Sequence, residues 1–300
     1  MMYAPVVIFA YNRSRQLQET LEALGRNEAA EKTDVFIFSD GPKNEEDAVK
    51  VEQTREVIER YQYKNNFKSF TVYGYRENQG LAKSVIAGVT KVIQQYEKAI
   101  VLEDDLITSP DFISYMNAGL EYYGNDEKVG AISGFSSISV KKGKCLNGIY
   151  KSRTGNSCGW ATWLRVWEQV DWDVSDYSIY RSEAKMIQKF NSIQYGISDI
   201  LDKQMAGFID SWAVRWDYHF FKNDLWTIYP VASKIQNVGF GKEGSTSRNR
   251  FDKRRKIRAK RLPFKMVEKE ILPDLTSDTC NYFKVGIMEK LLDWLQKLKK

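Results

Sequence analysis

Along the first hundred residues, short runs of apolar, β-branched or aromatic residues alternate with longer stretches in which apolar positions recur every three or four. The runs are Val6-Val7-Ile8-Phe9, Val35-Phe36-Ile37-Phe38, Phe70-Thr71-Val72-Tyr73 and Ala99-Ile100-Val101-Leu102. They begin 29, 35 and 29 residues apart, close to the ~30 residues of a βαβ unit. Between them, Leu17, Leu21 and Leu24, then Val51, Val57 and Ile58, then Val85, Val89, Val92 and Ile93 predict helices. The first has Asn12-Arg13-Ser14 at the position of a cap. Runs that are apolar on both faces predict strands covered by helices on either side, hence an α/β fold with a mostly parallel sheet. Beyond Asp111 the period changes. A helix is predicted through Phe112, Tyr115, Met116 and Leu120, a strand over 129–133, and Gly- and Ser-rich sequence up to Gly159. Seven of the eight Trp lie between Trp160 and Trp226, and the spacing of Trp160, Trp163 and Trp167 predicts one buried helical face. No Pro/Gly linker divides the two halves, so residues 1–247 read as one domain with parts 1–105 and 106–247.

Composition narrows the chemistry. The 300 residues are 43% hydrophobic and 28% charged, enough for a real core. No run of ~20 apolar residues predicts a membrane span, and residues 1–12 lack the pattern of a signal peptide. Three cysteines, Cys145, Cys158 and Cys280, form no CxxC pair, which argues against a disulfide scaffold or structural zinc. With a single histidine, His219, neither a His-dependent triad nor a multi-His metal centre is expected. His219 sits among aromatics and reads as a packed side chain. Catalysis must come from carboxylates, hydroxyls and backbone.

In a parallel sheet, ligands bind beyond the carboxyl ends of the strands. Those ends read Tyr11-Asn12-Arg13, Ser39-Asp40-Gly41-Pro42, Tyr75-Arg76-Glu77-Asn78-Gln79-Gly80 and Glu103-Asp104-Asp105. A mere scaffold does not require these charges. Three successive carboxylates repel unless a cation or hydrogen-bond donors compensate, and a hard divalent ion accepts one or two carboxylates together with phosphate oxygens. Strand alternation is expected to send Glu103 and Asp105 one way and Asp104 the other. The plainer reading is an acidic turn opening the next helix, with Thr108-Ser109-Pro110-Asp111 as its cap.

An apolar strand followed by Glu-Asp-Asp and a Pro-Asp-Phe helix start resembles the metal-binding segment of GT-A-fold glycosyltransferases related to N-acetylglucosaminyltransferase I and their bacterial relatives. Four further segments agree in order: Ala10-Tyr11-Asn12-Arg13, Ser39-Asp40-Gly41, Asn78-Gln79-Gly80-Leu81-Ala82-Lys83, and the acceptor-side Gly159-Trp160-Ala161-Thr162-Trp163. A late stretch from Asn237 through Gly244-Ser245-Thr246 resembles the family's phosphate-proximal loop. The resemblance spans about residues 4–247. It implies a nucleotide-binding half over 1–105, an acceptor-side half over 106–247, a nucleoside-diphosphate sugar donor with uridine diphosphate as the carrier, and Mn²⁺ or Mg²⁺. Asp105 is then the direct metal ligand, with Glu103 and Asp104 near metal-bound water or the donor's sugar and ribose. Asp40 is the expected contact to the base edge, and Tyr11, Arg13, Arg76 and Lys83 complete donor binding. Gly159 and Trp160 face the acceptor; Ser245 and Thr246 lie near the phosphates. Relatives carry a late His where this chain has Ser247, so Asp105 is left as the expected sole protein ligand.

A metal stabilises the leaving diphosphate, but the acceptor hydroxyl still needs a base. Phe208-Ile209-Asp210-Ser211-Trp212 resembles the acid–Trp segment that carries the base in inverting members. Its apolar neighbours are expected to raise the Asp210 pKa. Asp199, Asp202 and Asp217 are competitors, and capping of the following helix is the structural alternative for Asp210.

Net charge is +6, but residues 248–300 hold 16 Lys and Arg against 7 Asp and Glu, leaving the remainder at 29 against 32. Residues 248–300 form a basic tail, ending in Phe283, Ile287, Leu291, Leu295 and Leu298 at helical spacing with lysines interspersed. Such a helix suits an anionic membrane surface or docking on the body. With no secretion signal, the expected setting is cytoplasmic, at the inner membrane face, with a glycan or lipid-linked acceptor. The basic tail also raises nucleic-acid binding, which the acidic strand ends and the absence of a recognition motif oppose. A nucleotidyltransferase would share the strand-end acids but calls for a Gly-rich loop after the first strand, which Tyr11-Asn12-Arg13-Ser14 is not.

Overall fold

The structure, a computed structural model, describes residues 2–64, 66–136, 148–239, 258–261, 264–266 and 274–282. The four apolar runs form β1 (Val6–Ala10), β2 (Asp34–Ser39), β3 (Ser69–Gly74) and β4 (Lys98–Glu103), connected by α1 (Ser14–Gly25), α2 (Glu45–Lys64) and α3 (Leu81–Tyr96). They pair in parallel in the order β3-β2-β1-β4, with Val6 opposite both Val35 and Ile100. Val6, Val7, Ile8, Val35, Ile37, Ala99 and Ile100 are fully buried, which is the two-sided burial expected of a parallel sheet. α1 and α2 pack on each other, while α3 returns the chain from β3 across β2 and β1 to β4. A right-handed crossover places α3 on the opposite face.

After β4 follow β5 (Leu106–Thr108), α4 (Phe112–Tyr122), β6 (Val129–Ser133), β7 (Ile149–Ser152), β8 (Trp160–Trp163) and α5 (Leu164–Trp167). Then come α6 (Tyr177–Ser182), α7 (Ala184–Ile193), α8 (Ile197–Met205), α9 (Trp212–Lys222), β9 (Trp226–Pro230), β10 (Ile235–Asn237) and α10 (Thr276–Tyr282). Strands β8, β6, β9 and β7 extend the same sheet beyond β4, and β5 pairs with β10 in a small second sheet. The second half therefore continues the first sheet, and α6 to α9 add a small core of their own around Tyr180, Phe190 and Leu201.

The helical spacing of the tryptophans is misleading. Trp160 and Trp163 lie on β8, antiparallel to β4 with Val101 opposite Trp160, and only Trp167 is helical. A strand–turn–helix junction happens to reproduce a helical interval. Trp160 is fully buried, with its ring 5.7, 5.4 and 5.2 Å from those of Trp167, Trp212 and Trp216. His219 packs as expected, stacked on Trp216 with Nδ1 3.1 Å from Asn223, and burial pushes its pKa down to about 4.

The described tail residues lie on the body. Arg261 pairs with Glu28 at 2.5 Å, the Phe264 ring meets Tyr115 edge-on at 4.9 Å, and Leu275 is buried beside Tyr150 and Tyr229. The predicted amphipathic stretch from Phe283 to Leu298 lies outside the described residues, as do Ser245, Thr246 and Ser247. Among the described residues no helix is long and apolar enough to cross a membrane.

Candidate active site

The strand ends gather four loops at one edge of the sheet. β4 stops at Glu103, and Asp104 and Asp105 form a turn, so strand alternation ends before them. Instead of diverging, both carboxylates meet one guanidinium: Arg13 Nη1 lies 2.5 Å from Asp105 Oδ2 and 3.6 Å from Asp104 Oδ1. Arg13 is the N-cap residue of α1 and makes no side-chain capping bond to the helix. Its side chain, 14% exposed, is a counter-ion for the acidic turn and not a surface charge at a helix start. Asp104 Oδ2 also accepts the Tyr11 backbone N–H at 3.2 Å, and Thr20 donates to the Asp104 carbonyl at 2.9 Å. Burial and mutual repulsion push Glu103 up to about 8 and Asp104 up to about 7, and burial raises Asp105 against the pull of Arg13.

Asp105 is roofed by the segment after β10. Val238 N–H donates to the Asp105 carbonyl at 2.9 Å, and a Cβ at Gly239 would stand 1.8 Å from Asp105 Oδ2 and 3.1 Å from Arg13 Nη1. Any larger residue there would have to displace the Asp105 carboxylate. Asp105 Oδ1 is buried and has no hydrogen-bond partner among the described residues, an unusual state for a carboxylate oxygen. No group of three His, Cys, Asp or Glu side chains converges into a ready-made metal site among the described residues.

Both carboxylate oxygens of Asp40 are engaged within the protein. Its Oδ1 accepts from the N–H groups of Gly41 and Gln79 at 2.8 Å each, and its Oδ2 from Asn78 Nδ2 and the Gly80 N–H at 3.1 Å each. All four donors belong to the protein, so Asp40 ties the loop after β3 to the end of β2. The two loops touch backbone to backbone at Gly41, where a Cβ would sit 2.4 Å from the Glu77 carbonyl carbon. Arg55 of α2 bridges the same ends, donating to the Tyr75 carbonyl at 2.5 Å and the Asp40 carbonyl at 3.4 Å. Nothing in the charged helical sequence around Arg55 distinguishes it from a surface residue, so its position emerges only in three dimensions. Tyr11 donates to Asp47 Oδ2 at 2.8 Å and accepts from the Lys43 N–H; burial and that carboxylate push its pKa up to about 12. Arg76 and Lys83 are exposed at the rim.

Asp210 stands at the same edge, with Oδ2 3.5 Å from where a Cβ on Gly80 would lie. The cap of α9 is Ser211, whose hydroxyl accepts the Val214 N–H at 3.4 Å, so capping does not account for Asp210. The apolar surroundings expected of Asp210 are not found: the carboxylate is 62% exposed and lies 3.4 Å from Arg215. Among its competitors, Asp202 binds Tyr177 and Arg181, Asp199 is exposed on α8, and Asp217 accepts the Gly155 N–H at 2.7 Å beneath the segment preceding β8.

Just before β8, Gly159 adopts φ +65°, and a Cβ there would lie 2.8 Å from Ile235. Trp160 is buried in the four-tryptophan cluster, so its ring supports the loop from beneath instead of facing a ligand. The predicted cap segment 108–111 does end in the N-cap residue of α4, Asp111, but its carboxylate makes no capping bond and instead takes the fully buried Lys234 ammonium at 2.5 Å and the Ser109 hydroxyl at 2.6 Å.

The acidic turn, its basic counter-ion and the two clamped loops thus lie at the carboxyl ends of the parallel strands β1 to β4, where open α/β sheets bind their ligands. A family model, that of the GNT-I family, matches residues 1–176, more than half of the chain. The chain belongs to the GNT-I family and is a glycosyltransferase. No curated protein sequence matches it. Among solved structures it is similar to S. aureus TarS, at 12% identity and TM-score 0.40 over 56% of this chain and 30% of TarS. It is also similar to the galactosyltransferase LgtC in complex with donor and acceptor sugar analogs, at 10% identity and TM-score 0.34 over 72% of this chain and 70% of that one. A third is glucosyl-3-phosphoglycerate synthase from Mycobacterium tuberculosis with Mn²⁺ and uridine diphosphate, at 10% identity and TM-score 0.34 over 54% and 57%. The chain thus spans under a third of TarS, and likenesses this distant carry no weight for the choice of donor, metal or acceptor.

Proposed function

We propose that this glycosyltransferase takes its sugar from a nucleoside diphosphate, uridine diphosphate being the carrier, and transfers it with inversion to a hydroxyl of a glycan or lipid-linked acceptor. The observation that carries the reading is the acidic turn after β4: Asp105 has one oxygen on Arg13 and the other buried without a hydrogen-bond donor among the described residues. A carboxylate oxygen in that state suits a hard cation, and Asp105 is the residue that would hold Mn²⁺ or Mg²⁺. When bound, such an ion supplies Lewis-acid stabilisation of the leaving diphosphate.

The chain's own residues do the rest. Arg13 offsets the turn's negative charge and stands within reach of an arriving diphosphate. Asp40 and Arg55 hold the loops after β2 and β3 in one shape, so that Tyr11 and the loop 77–80 form a preset wall for the nucleotide. Exposed Arg76 and Lys83 add positive charge at the mouth. Asp210, beside Gly80 and held by Arg215, accepts the proton of the attacking hydroxyl, which reaches the anomeric carbon opposite the leaving group and inverts its configuration. Gly159 lets the chain pass close under the acceptor side. The test is to incubate the protein with uridine-diphosphate sugars and Mn²⁺ and follow released uridine diphosphate, with the product anomer read by NMR. Release with an inverted anomer supports the reading; turnover with retained configuration removes Asp210 as the base.

A further inference from the structure

On the face of α3 turned from the sheet, Lys83, Ile86, Ala87, Thr90, Lys91 and Gln94 follow one another at intervals of three and one. That is a single helical stripe about 18 Å long from Lys83 to Gln95. The exposed stripe of a surface helix ordinarily carries long polar side chains throughout. Here Ala87, Ile86 and Thr90 leave a trough, and Trp172, Asp173, Asp210 and Arg215 form its far wall, enclosing about 810 Å³.

The far wall is rigidly built. Trp172 is half-buried, with its ring 4.7 Å from that of Trp167. Trp167 in turn donates from Nε1 to Thr90 Oγ1 at 2.9 Å, so the platform is braced against α3 itself. Arg215, 13% exposed, donates to the Trp172 carbonyl at 3.0 Å and reaches Asp210 Oδ1 at 3.4 Å. One guanidinium therefore holds both the aromatic platform and the carboxylate at the groove's catalytic end.

We infer that this groove binds the acceptor, and that the acceptor is a linear glycan of several sugar rings lying along α3 with its reactive hydroxyl at Asp210. The argument is chemical. Sugar rings present C–H faces that pack on aromatic and short aliphatic surface, and hydroxyl rims that pair with amides, carboxylates and cations. The groove supplies Trp172, Ile86 and Ala87 for the first, and Gln94, Gln95, Asp173 and Lys91 for the second. Its positive and negative side chains nearly balance, which suits a neutral chain better than a polyanion. The length favours several rings over one. The groove's role as acceptor path rests on Asp210 being the base.

The experiment presents the folded full chain to a printed array of linear glycans of one to six sugar units, alongside anionic phospholipid spots. Wild type is compared with Ala87→Trp, which fills the trough from an exposed helical position, and with the surface double variant Gln94→Ala/Gln95→Ala. Retention by glycans of three or more units, lowered about tenfold in Ala87→Trp and less in the double variant, is the expected result. Retention on phospholipid alone, on no glycan, or equally by wild type and Ala87→Trp overturns the inference. The melting response of wild type to uridine diphosphate with Mn²⁺, measured separately, reports on the catalytic reading. A groove that binds glycans without that response keeps the glycan site and loses its role as the acceptor path of a transferase.

Discussion

Replacing Arg13 by Gln removes the only cation shown against Asp104 and Asp105 among the described residues. The pair it breaks is short, 2.5 Å to Asp105 Oδ2, and enclosed, with side chains 14% and 6% exposed. Removing one partner of a buried ion pair costs about 3–5 kcal/mol, because the remaining charge is left without compensation. At roughly 2 cal/mol/K per residue, a chain of this length unfolds with an entropy near 0.6 kcal/mol/K. The expected loss is then about 5–8 °C in melting temperature. Protonation of Glu103 and Asp104, already pushed up to about 8 and about 7, relieves part of it, so the deficit grows toward alkaline pH. Arg13→Lys keeps the charge but not the planar fork and should fall between the two. Differential scanning calorimetry at pH 6 and pH 9 measures this, and Mn²⁺ should restore the melting point of Arg13→Gln more than it raises that of wild type. A variant that melts within a degree or so of wild type at both pH values refutes the charge-compensation argument.

Asp210→Asn should lower turnover by about 10²–10⁴-fold while leaving uridine diphosphate affinity intact; unchanged turnover in a steady-state assay removes Asp210 from the chemistry. Asp217, half-buried with one backbone donor, is pushed up to about 7 by burial. The folded state thus holds a proton that the unfolded state releases near pH 4, and stability falls as pH rises from about 4 to 7. Asp217→Asn keeps the contact to Gly155 and should abolish that part of the slope, gaining on the order of 1–2 kcal/mol above pH 7 once water's share of the solvation is discounted. Urea titrations at pH 5 and 8 decide it, and an unaltered slope counts against the assignment. Gly41→Ala forces a Cβ to within 2.4 Å of the Glu77 carbonyl carbon, so the two loops must part; nucleotide affinity should drop about tenfold by calorimetric titration, and undiminished affinity would show that loop contact to be irrelevant.

The parallel half of the sheet is legible because burial on both faces leaves its mark in every residue of runs such as Val6-Val7-Ile8-Phe9. The acidic turn is legible for the related reason that three carboxylates at the end of a buried strand need a partner. Which partner they find is not, since Arg13 lies 92 positions from Asp105 and reads locally as a helix-start charge. The same distance problem hides Lys234 under Asp111 and Arg55 under the ends of β2 and β3. Asp40 shows the same limit: its hold on the loop after β3 depends on donors of Asn78, Gln79 and Gly80, 38 to 40 positions away. β8 is hidden in the sequence because Trp160, Trp163 and Trp167 repeat at intervals shared by a helix and by a strand running into one. β5 and β10, three residues each, are too short to register a period at all.

The central claim is that the carboxylate of Asp105 holds a cation that binds together with the nucleotide. Isothermal titration of uridine diphosphate into wild type and Asp105→Asn, each with and without Mn²⁺, tests it most directly. The account predicts that Mn²⁺ tightens binding to wild type by about tenfold or more and leaves Asp105→Asn unaffected; an equal gain in both proteins would contradict it.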